Sequence, residues 1–181
     1  MKNIVIIGAG DLGKEVVWLI EDINRKEPTY LILGFLDDDR TKEGKEFYGY
    51  KILGGTEQLS ELGTKVPMSA VVAIRDGDIR KKIVETHQNF TNWESIIHPM
   101  AVIASSSTIG CGCIFFPHTT VSVDTNVGKF GLYYINSTVC NDCTIGDYVS
   151  VMSGALISER VTVGDGKLLP AGTIVEPFSF F

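Results

Sequence analysis

The sequence predicts an α/β domain built on a parallel sheet, followed by an all-β coil of short strands stacked in register. Three observations carry this expectation. Every sixth residue from Ile103 to Val175 (Ile103, Ile109, Phe115, Val121, Val127, Tyr133, Val139, Ile145, Val151, Ile157, Val163, Leu169, Val175) is apolar or aromatic. Every third hexad opens with an aliphatic residue and glycine: Ile109-Gly110, Val127-Gly128, Ile145-Gly146, Val163-Gly164. At the other end, Gly8-Ala9-Gly10-Asp11-Leu12-Gly13 follows a short apolar run.

A period of six nested in a period of eighteen fits neither an amphipathic helix nor an alternating strand. It fits a three-sided β-helix of about four turns, each hexad making one face. Large apolar residues fill its interior. Four positions later come mostly small side chains: Ser107, Cys113, Thr119, Thr125, Gly131, Ser137, Cys143, Val149, Ala155, Val161, Lys167 and Thr173. These are expected at the tight corners, with the recurring glycines where the backbone turns.

The N-terminal region reads as strand Lys2–Ile7, the glycine turn, and a helix with Leu12, Val16, Val17, Leu19, Ile20 and Ile23 on one face. A second strand, Leu31–Leu36, ends in Asp37-Asp38-Asp39. This order is that of a mononucleotide-binding βαβ unit. Its glycines let the backbone approach a diphosphate, and the helix N-terminus supplies free N–H groups and a positive dipole end. Asp37 and Asp38 are either ribose ligands or turn residues. Next are expected a strand at Tyr50–Leu53, a helix near Thr56–Leu62, a buried strand at Ala70–Ile74 and a helix at Ile79–His87. A last strand, Ser95–Ile97, precedes His98-Pro99. The expected boundary therefore separates residues 1–97, the nucleotide-sugar-sized unit, from residues 98–181, the coil.

A net charge of −6 over 181 residues argues against a nucleic-acid or anionic-membrane surface. The longest basic run, Arg80-Lys81-Lys82, reads as a solvated helix face. No apolar run approaches the roughly 18 residues of a membrane span, and the opening strand stops at a glycine motif unlike a signal peptide. A cytoplasmic protein without membrane insertion is expected. Cys111, Cys113, Cys140 and Cys143 are spaced as C-x-C and C-x-x-C. Cys113 and Cys143 fall in the small inward slot, so buried packing is expected rather than a metal site. His118 reads as a solvent-facing or structural histidine. Asn136, Asn141 and Asp142 lie off the inward positions. Phe178, Phe180 and Phe181 are expected to cover the open end of the prism.

Together these residues resemble the bacterial nucleotide-sugar and sialic-acid acetyltransferases, in which a half-Rossmann domain precedes a left-handed β-helix of hexapeptide repeats. The likeness includes Gly8-Ala9-Gly10 with Gly13-Lys14-Glu15-Val16, Phe35-Leu36-Asp37-Asp38, Ala73-Ile74 with Arg80-Lys81-Lys82, Ile97-His98-Pro99 and Asp142-Cys143-Thr144-Ile145-Gly146-Asp147. It implies a homotrimer, acetyl-CoA as acyl donor between neighbouring coils, no metal, and a nucleotide-linked sugar of surface-glycan biosynthesis on the N-terminal unit. The implied sugar-binding residues are Gly8, Gly10, Asp11, Leu12, Gly13, Asp37, Asp38, Ile74 and Arg75. In the resembled enzymes a histidine is the general base, oriented by a carboxylate, and further donors hold the thioester oxygen. Here the base position is Asn141, before the retained acid Asp142. The second histidine position is Ser150 and the oxyanion glycine is Glu159, so Ser150 and Glu159 become the acyl-CoA contacts. The Gly-His-Gly turn reads Asp11-Leu12-Gly13, and Ile-Gly-Asn reads Ile74-Arg75-Asp76. An amide does not accept a proton at neutral pH. The resemblance thus implies an acyl-CoA-dependent sugar acyltransferase of impaired or altered chemistry. The alternative is a catalytically lapsed trimer that binds a nucleotide-sugar or a partner without turnover. A nicotinamide oxidoreductase is disfavoured because a second half-sheet is missing.

Overall fold

The computed structural model describes residues 1–181 and divides into two compact units, residues 1–75 with 79–94 and residues 76–78 with 95–181. In the first, β1 (Lys2–Ile7), β2 (Tyr30–Leu36), β3 (Glu46–Phe47), β4 (Tyr50–Gly54) and β5 (Ser69–Val72) form one sheet in the order β3-β4-β2-β1-β5. Every pairing is parallel except that of β3 with β4. Strands covered on both faces need continuous apolar runs, and Ile4 to Ile7 are all buried. Helix α1 (Asp11–Lys26) buries Leu12, Val16, Val17, Leu19 and Ile20, and stops before Pro28. A second cluster joins Val5, Ile7, Leu36, Leu59, Ala70 and Val72 to half-buried Ile83 and Val84. These last come from α3 (Gly77–Thr86), while Leu59 opens α2 (Leu59–Lys65) after a 3-10 turn at Thr56–Gln58. The two-residue β3 is too short to show a period in the sequence.

Ser95–Ile97 does not close the N-terminal sheet as expected. Ile96–Ile97 pairs in parallel with Ile114–Phe115 and so forms the first rung of the coil. The Ser95 hydroxyl fixes the register by accepting from the Cys113 N–H at 3.0 Å. Above it rise three parallel sheets of five, five and four strands. Their pairings join residues eighteen apart, such as Thr120 with Thr138, Asn126 with Thr144 and Leu132 with Ser150. The sixfold positions point inward: Phe115, Tyr133, Val139, Val151, Ile157 and Leu169 are wholly buried. Phe115 and Tyr133 stack at 4.6 Å, one coil above the other.

The corners differ from the expectation. From Ile109 on, the backbone turns three positions after each inward residue, one before the small side chain. Gly112, His118, Asp124, Phe130, Asn136, Asp142, Tyr148, Gly154, Arg160, Gly166, Gly172 and Phe178 occupy the left-handed region, with φ between 55° and 71°. Asn, Asp and His tolerate this region better than other side chains. His118, Asn136 and Asp142 thus have a structural reason to stand where they do. The small residues instead fill the interior: Thr125 donates to the Cys140 carbonyl at 2.8 Å and accepts from the Cys143 N–H at 3.2 Å. Nor do the recurring glycines mark turns. A Cβ on Gly128 would lie 2.6 Å from the Gly146 carbonyl and from Asp147 Oδ1, which accepts the Lys129 N–H. Close stacking of coils, with a carboxylate inserted between them, excludes a side chain there.

The phenylalanine side chains do not cover the end of the column, since Phe178 and Phe180 are exposed. The backbone does part of this work. Phe181 donates to the Thr162 carbonyl and accepts from the Gly164 N–H, both at 2.9 Å. No helix is long and apolar enough to cross a membrane.

Gly128 and Gly164 look equivalent in sequence, yet an added Cβ on Gly164 meets nothing closer than 3.7 Å. Gly128→Ala should therefore cost about 1–3 kcal/mol, as overpacking does, and Gly164→Ala close to nothing, by urea denaturation. Equal costs would contradict the stacking account.

Candidate functional site

The C-terminal ends of β1, β2 and β5 surround a cavity of about 330 Å³ in the first unit. Parallel sheets place ligands at this end of their strands. Of the sequence-predicted residues, Gly8, Gly10, Asp11, Leu12, Asp37, Ile74 and Arg75 line it, joined by Ala73 and Lys42; Gly13 and Asp38 do not. Each glycine has its own reason. Gly8 has φ +107°, and a Cβ on it would lie 2.8 Å from the Ala73 carbonyl oxygen. A Cβ on Gly13 would collide with the Gly8 carbonyl oxygen. Gly10, by contrast, faces open space within 4 Å, so the absent side chain leaves room in the cavity. It precedes α1 without a side-chain cap, leaving first-turn N–H groups that have no partner within the helix.

Asp37 and Asp38 are held by the protein itself. Asp37 Oδ2 accepts from the Ala9 N–H at 2.9 Å and pairs with Lys42 Nζ at 3.0 Å, while its Oδ1 accepts from the Asp39 N–H at 2.9 Å. Asp38 Oδ1 accepts from the Thr56 N–H at 2.7 Å, which ties two loops together. Asp39 caps the 3-10 turn Arg40–Lys42 that delivers the lysine. The carboxyl of Asp39 is held below its ordinary value by the Thr41 hydroxyl and N–H that it accepts.

The reading of Arg80-Lys81-Lys82 as a solvated face fails at its first residue. Arg80 is 2% exposed. Its Nη1 donates to the carbonyls of Ile74 and Arg75 at 2.9 and 2.7 Å, bracing the wall of the cavity. Helical spacing gave no hint of this, because the bonds reach back to the loop before the helix. Lys42 was equally hidden, in a loop without periodicity.

In the second unit, Asn141 and Asp142 share the corner between Thr138–Val139 and Thr144–Ile145. Asn141 Nδ2 donates to Asp142 Oδ2 at 2.7 Å. One coil on, Arg160 Nε lies 3.6 Å from that oxygen, and its guanidinium sits over the Phe178 ring at 5.4 Å. The ion pair is half exposed and solvent-screened, so it contributes little to stability. Glu159 stands eighteen residues after Asn141, whose carbonyl accepts the Arg160 N–H. Ser150 is apart from them: it is buried on the sheet that pairs it with Leu132 and Leu168. A single chain joins Asn141, Asp142 and Glu159, and leaves Ser150 on another face. His118 occupies a different corner again, one coil below Asn136.

The four cysteines are free thiols. Burial, chiefly, raises the thiols of Cys140 and Cys143 above their ordinary value, the opposite of what a metal ligand needs. No group of three or more His, Cys, Asp or Glu side chains is placed to hold a metal ion.

The site residues thus lie on two frameworks, a half-Rossmann unit with an open glycine turn and a column of hexads in three parallel sheets. Residues 3–87 match the model of the PglD N-terminal domain. Over 117 residues the chain is 31% identical to UDP-N-acetylbacillosamine N-acetyltransferase of Bacillus subtilis (strain 168), covering 63% of this chain. The chain spans about half (51%) of the length of that curated relative. The acetyltransferase domain of PglB from Neisseria gonorrhoeae FA1090, in complex with acetyl coenzyme A, superposes with a TM-score of 0.82 at 26% identity, covering 98% of this chain and 93% of that one. A histidine-to-asparagine variant of perosamine N-acetyltransferase from Caulobacter crescentus, in complex with CoA and GDP-perosamine, shares the fold: TM-score 0.80, 24% identity, 99% and 91% covered. By these matches the chain is similar to nucleotide-sugar acetyltransferases, and it shares with them the α/β domain and the left-handed β-helix.

Replacing Arg80 by Met leaves two cavity-wall carbonyls without their charged donor. Hydrogen bonds of that kind are worth about 1.5–3 kcal/mol each. Arg80→Met should lower unfolding stability by at least that much in chemical denaturation, whereas Lys81→Met, on the exposed side, should change it by less than ~0.5 kcal/mol. Equal effects would refute the bracing role.

Proposed function

We propose that this protein transfers an acetyl group from acetyl-CoA to an amino or hydroxyl group of a nucleotide-linked sugar, at a rate reduced by the loss of its general base. The observation that carries the reading is the end-to-end match to an acetyltransferase domain that holds acetyl coenzyme A. The cavity at the glycine turn supports nucleotide-sugar binding on the first unit. The acyl donor belongs to the coil, with Ser150 and Glu159 as contacts. Because Ser150 and Asn141 lie on different faces of one column, a homotrimer that apposes faces of neighbouring chains is the proposed working form. The place of action is the cytoplasm, in assembly of a surface glycan.

The chemistry at Asn141 decides how fast such a protein works. Asp142 is retained to orient a base, but its neighbour is an amide that donates to it rather than an imidazole. Removing a general base typically costs about 10²- to 10⁴-fold, and an amine acceptor remains a nucleophile without one. Binding is a separate matter. The Caulobacter histidine-to-asparagine variant holds CoA and GDP-perosamine, and this chain is proposed to keep its ligands in the same way.

A second reading rests on Asp142 itself, whose Oδ2 is engaged by both Asn141 and Arg160. On that reading the protein is a lapsed catalyst that binds without turnover. Acetyl transfer to a UDP-4-amino-sugar, followed by CoA release, separates the two. The first reading expects slow turnover that rises about 10²-fold or more in Asn141→His and is lost on Asp142→Ala. No turnover from the wild type or from Asn141→His would leave the binding-only protein.

A further inference from the structure

Lys42 is the one lysine on the wall of the glycine-turn cavity, and its position is fixed from both sides. Nζ lies 3.0 Å from Asp37 Oδ2 and 3.2 Å from the Ala9 carbonyl oxygen. Asp37 in turn accepts the Ala9 N–H at 2.9 Å, so carboxylate, ammonium and glycine turn form one closed unit. Asp37 is largely buried, while Lys42 keeps about a third of its side chain exposed.

A lysine ammonium carries three donors. Two are occupied by Asp37 and Ala9, and the third is available to a group within the cavity. The neighbouring structure is suited to an anion. Gly10 leaves its Cβ position empty, and the uncapped start of α1 contributes N–H groups and the positive end of a sixteen-residue dipole.

We propose that Lys42 is the phosphate-binding cation of this cavity, with Asp37 as its positioning residue rather than a ribose ligand. The proposal rests on the nucleotide-sugar reading and goes further, naming the residue that recognises the diphosphate and the one that aims it. A diphosphate bridging α1 and Lys42 accepts the third N–H, while Asp37 and the Ala9 carbonyl retain the other two and keep the ammonium at the turn. Methionine at position 42 keeps most of the stem and removes the charge; arginine keeps the charge.

The test is calorimetric titration of the full chain and its Lys42→Met, Lys42→Arg and Asp37→Asn variants with UDP, GDP, inorganic pyrophosphate and uridine. Thermal unfolding of each variant checks folding. The proposal expects Lys42→Met to weaken UDP, GDP and pyrophosphate by about tenfold or more, in line with a charge-assisted contact, while uridine changes less than twofold. Lys42→Arg should recover most of the loss, and Asp37→Asn should follow Lys42→Met in the diphosphates. Diphosphate affinities unchanged in Lys42→Met would overturn the proposal, leaving the nucleotide reading intact. An equal fall for uridine and UDP would overturn it too, by showing that Lys42 only holds the loop. A wild type that binds none of the four probes overturns both the proposal and the nucleotide reading.

Discussion

The structure depends on one constraint: each coil of the second unit must lie directly over the last, residue i above residue i+18. Backbone hydrogen bonds of the parallel ladders enforce it, as where the Thr120 N–H meets the Ser137 carbonyl so that Thr120 pairs with Thr138, and the Thr138 N–H meets the Ala155 carbonyl so that Thr138 pairs with Leu156. In that register like sits on like. Phe115 stacks on Tyr133, Gly128 lies against Gly146, and Asp147 caps the backbone one coil away. A slip of one residue turns every inward Val or Ile outward, the general hazard of a period-two backbone. The register also builds the candidate catalytic corner, because it sets Arg160 against Asp142 and Glu159 beside Asn141.

The column was legible in the sequence because its interior accepts only large apolar residues at one position in six. That demand is strict enough to survive from Ile103 to Val175 without interruption. Its corners were less legible. Left-handed backbone is tolerated by Gly, Asn, Asp and His, but also by Phe130, Tyr148 and Arg160 once neighbouring coils compensate. Phe130 and Tyr148 do so by stacking at 5.3 Å. The corner therefore has no single residue type, and the more conspicuous small residues one position later drew the assignment. The glycines misled differently. Their purpose is close approach between coils, which depends on partners eighteen residues away and not on local turn chemistry.

The N-terminal site divides along the same line. Gly8, Gly10 and the start of α1 announce themselves because a glycine turn between strand and helix is a local pattern. Lys42 and Arg80 do not, because each acts across a loop on backbone remote from its own element. A buried arginine in a run of three basic residues looks solvated until the carbonyls of Ile74 and Arg75 are seen to converge on it. Asp37 shows the limit of motif reading: the expected acidic residue is present, but two protein donors and an ammonium already occupy it. The coil site adds chemistry to this pattern. Asn141 stands one residue before Asp142, and its amide N–H donates to that carboxylate as an imidazole N–H would, but it offers no ring nitrogen to take a proton.

The most direct test of the stacking constraint is removal of one coil. Deleting residues 147–164, eighteen in all, joins Gly146 to Asp165 and preserves every vertical alignment. Deleting residues 147–163 removes one fewer and shifts all that follows. Urea unfolding of the coil followed by tryptophan-independent circular dichroism should show a cooperative transition for the first deletion, at reduced stability, and none for the second. Two deletions that unfold alike, or a seventeen-residue deletion that keeps the native transition, would contradict the account.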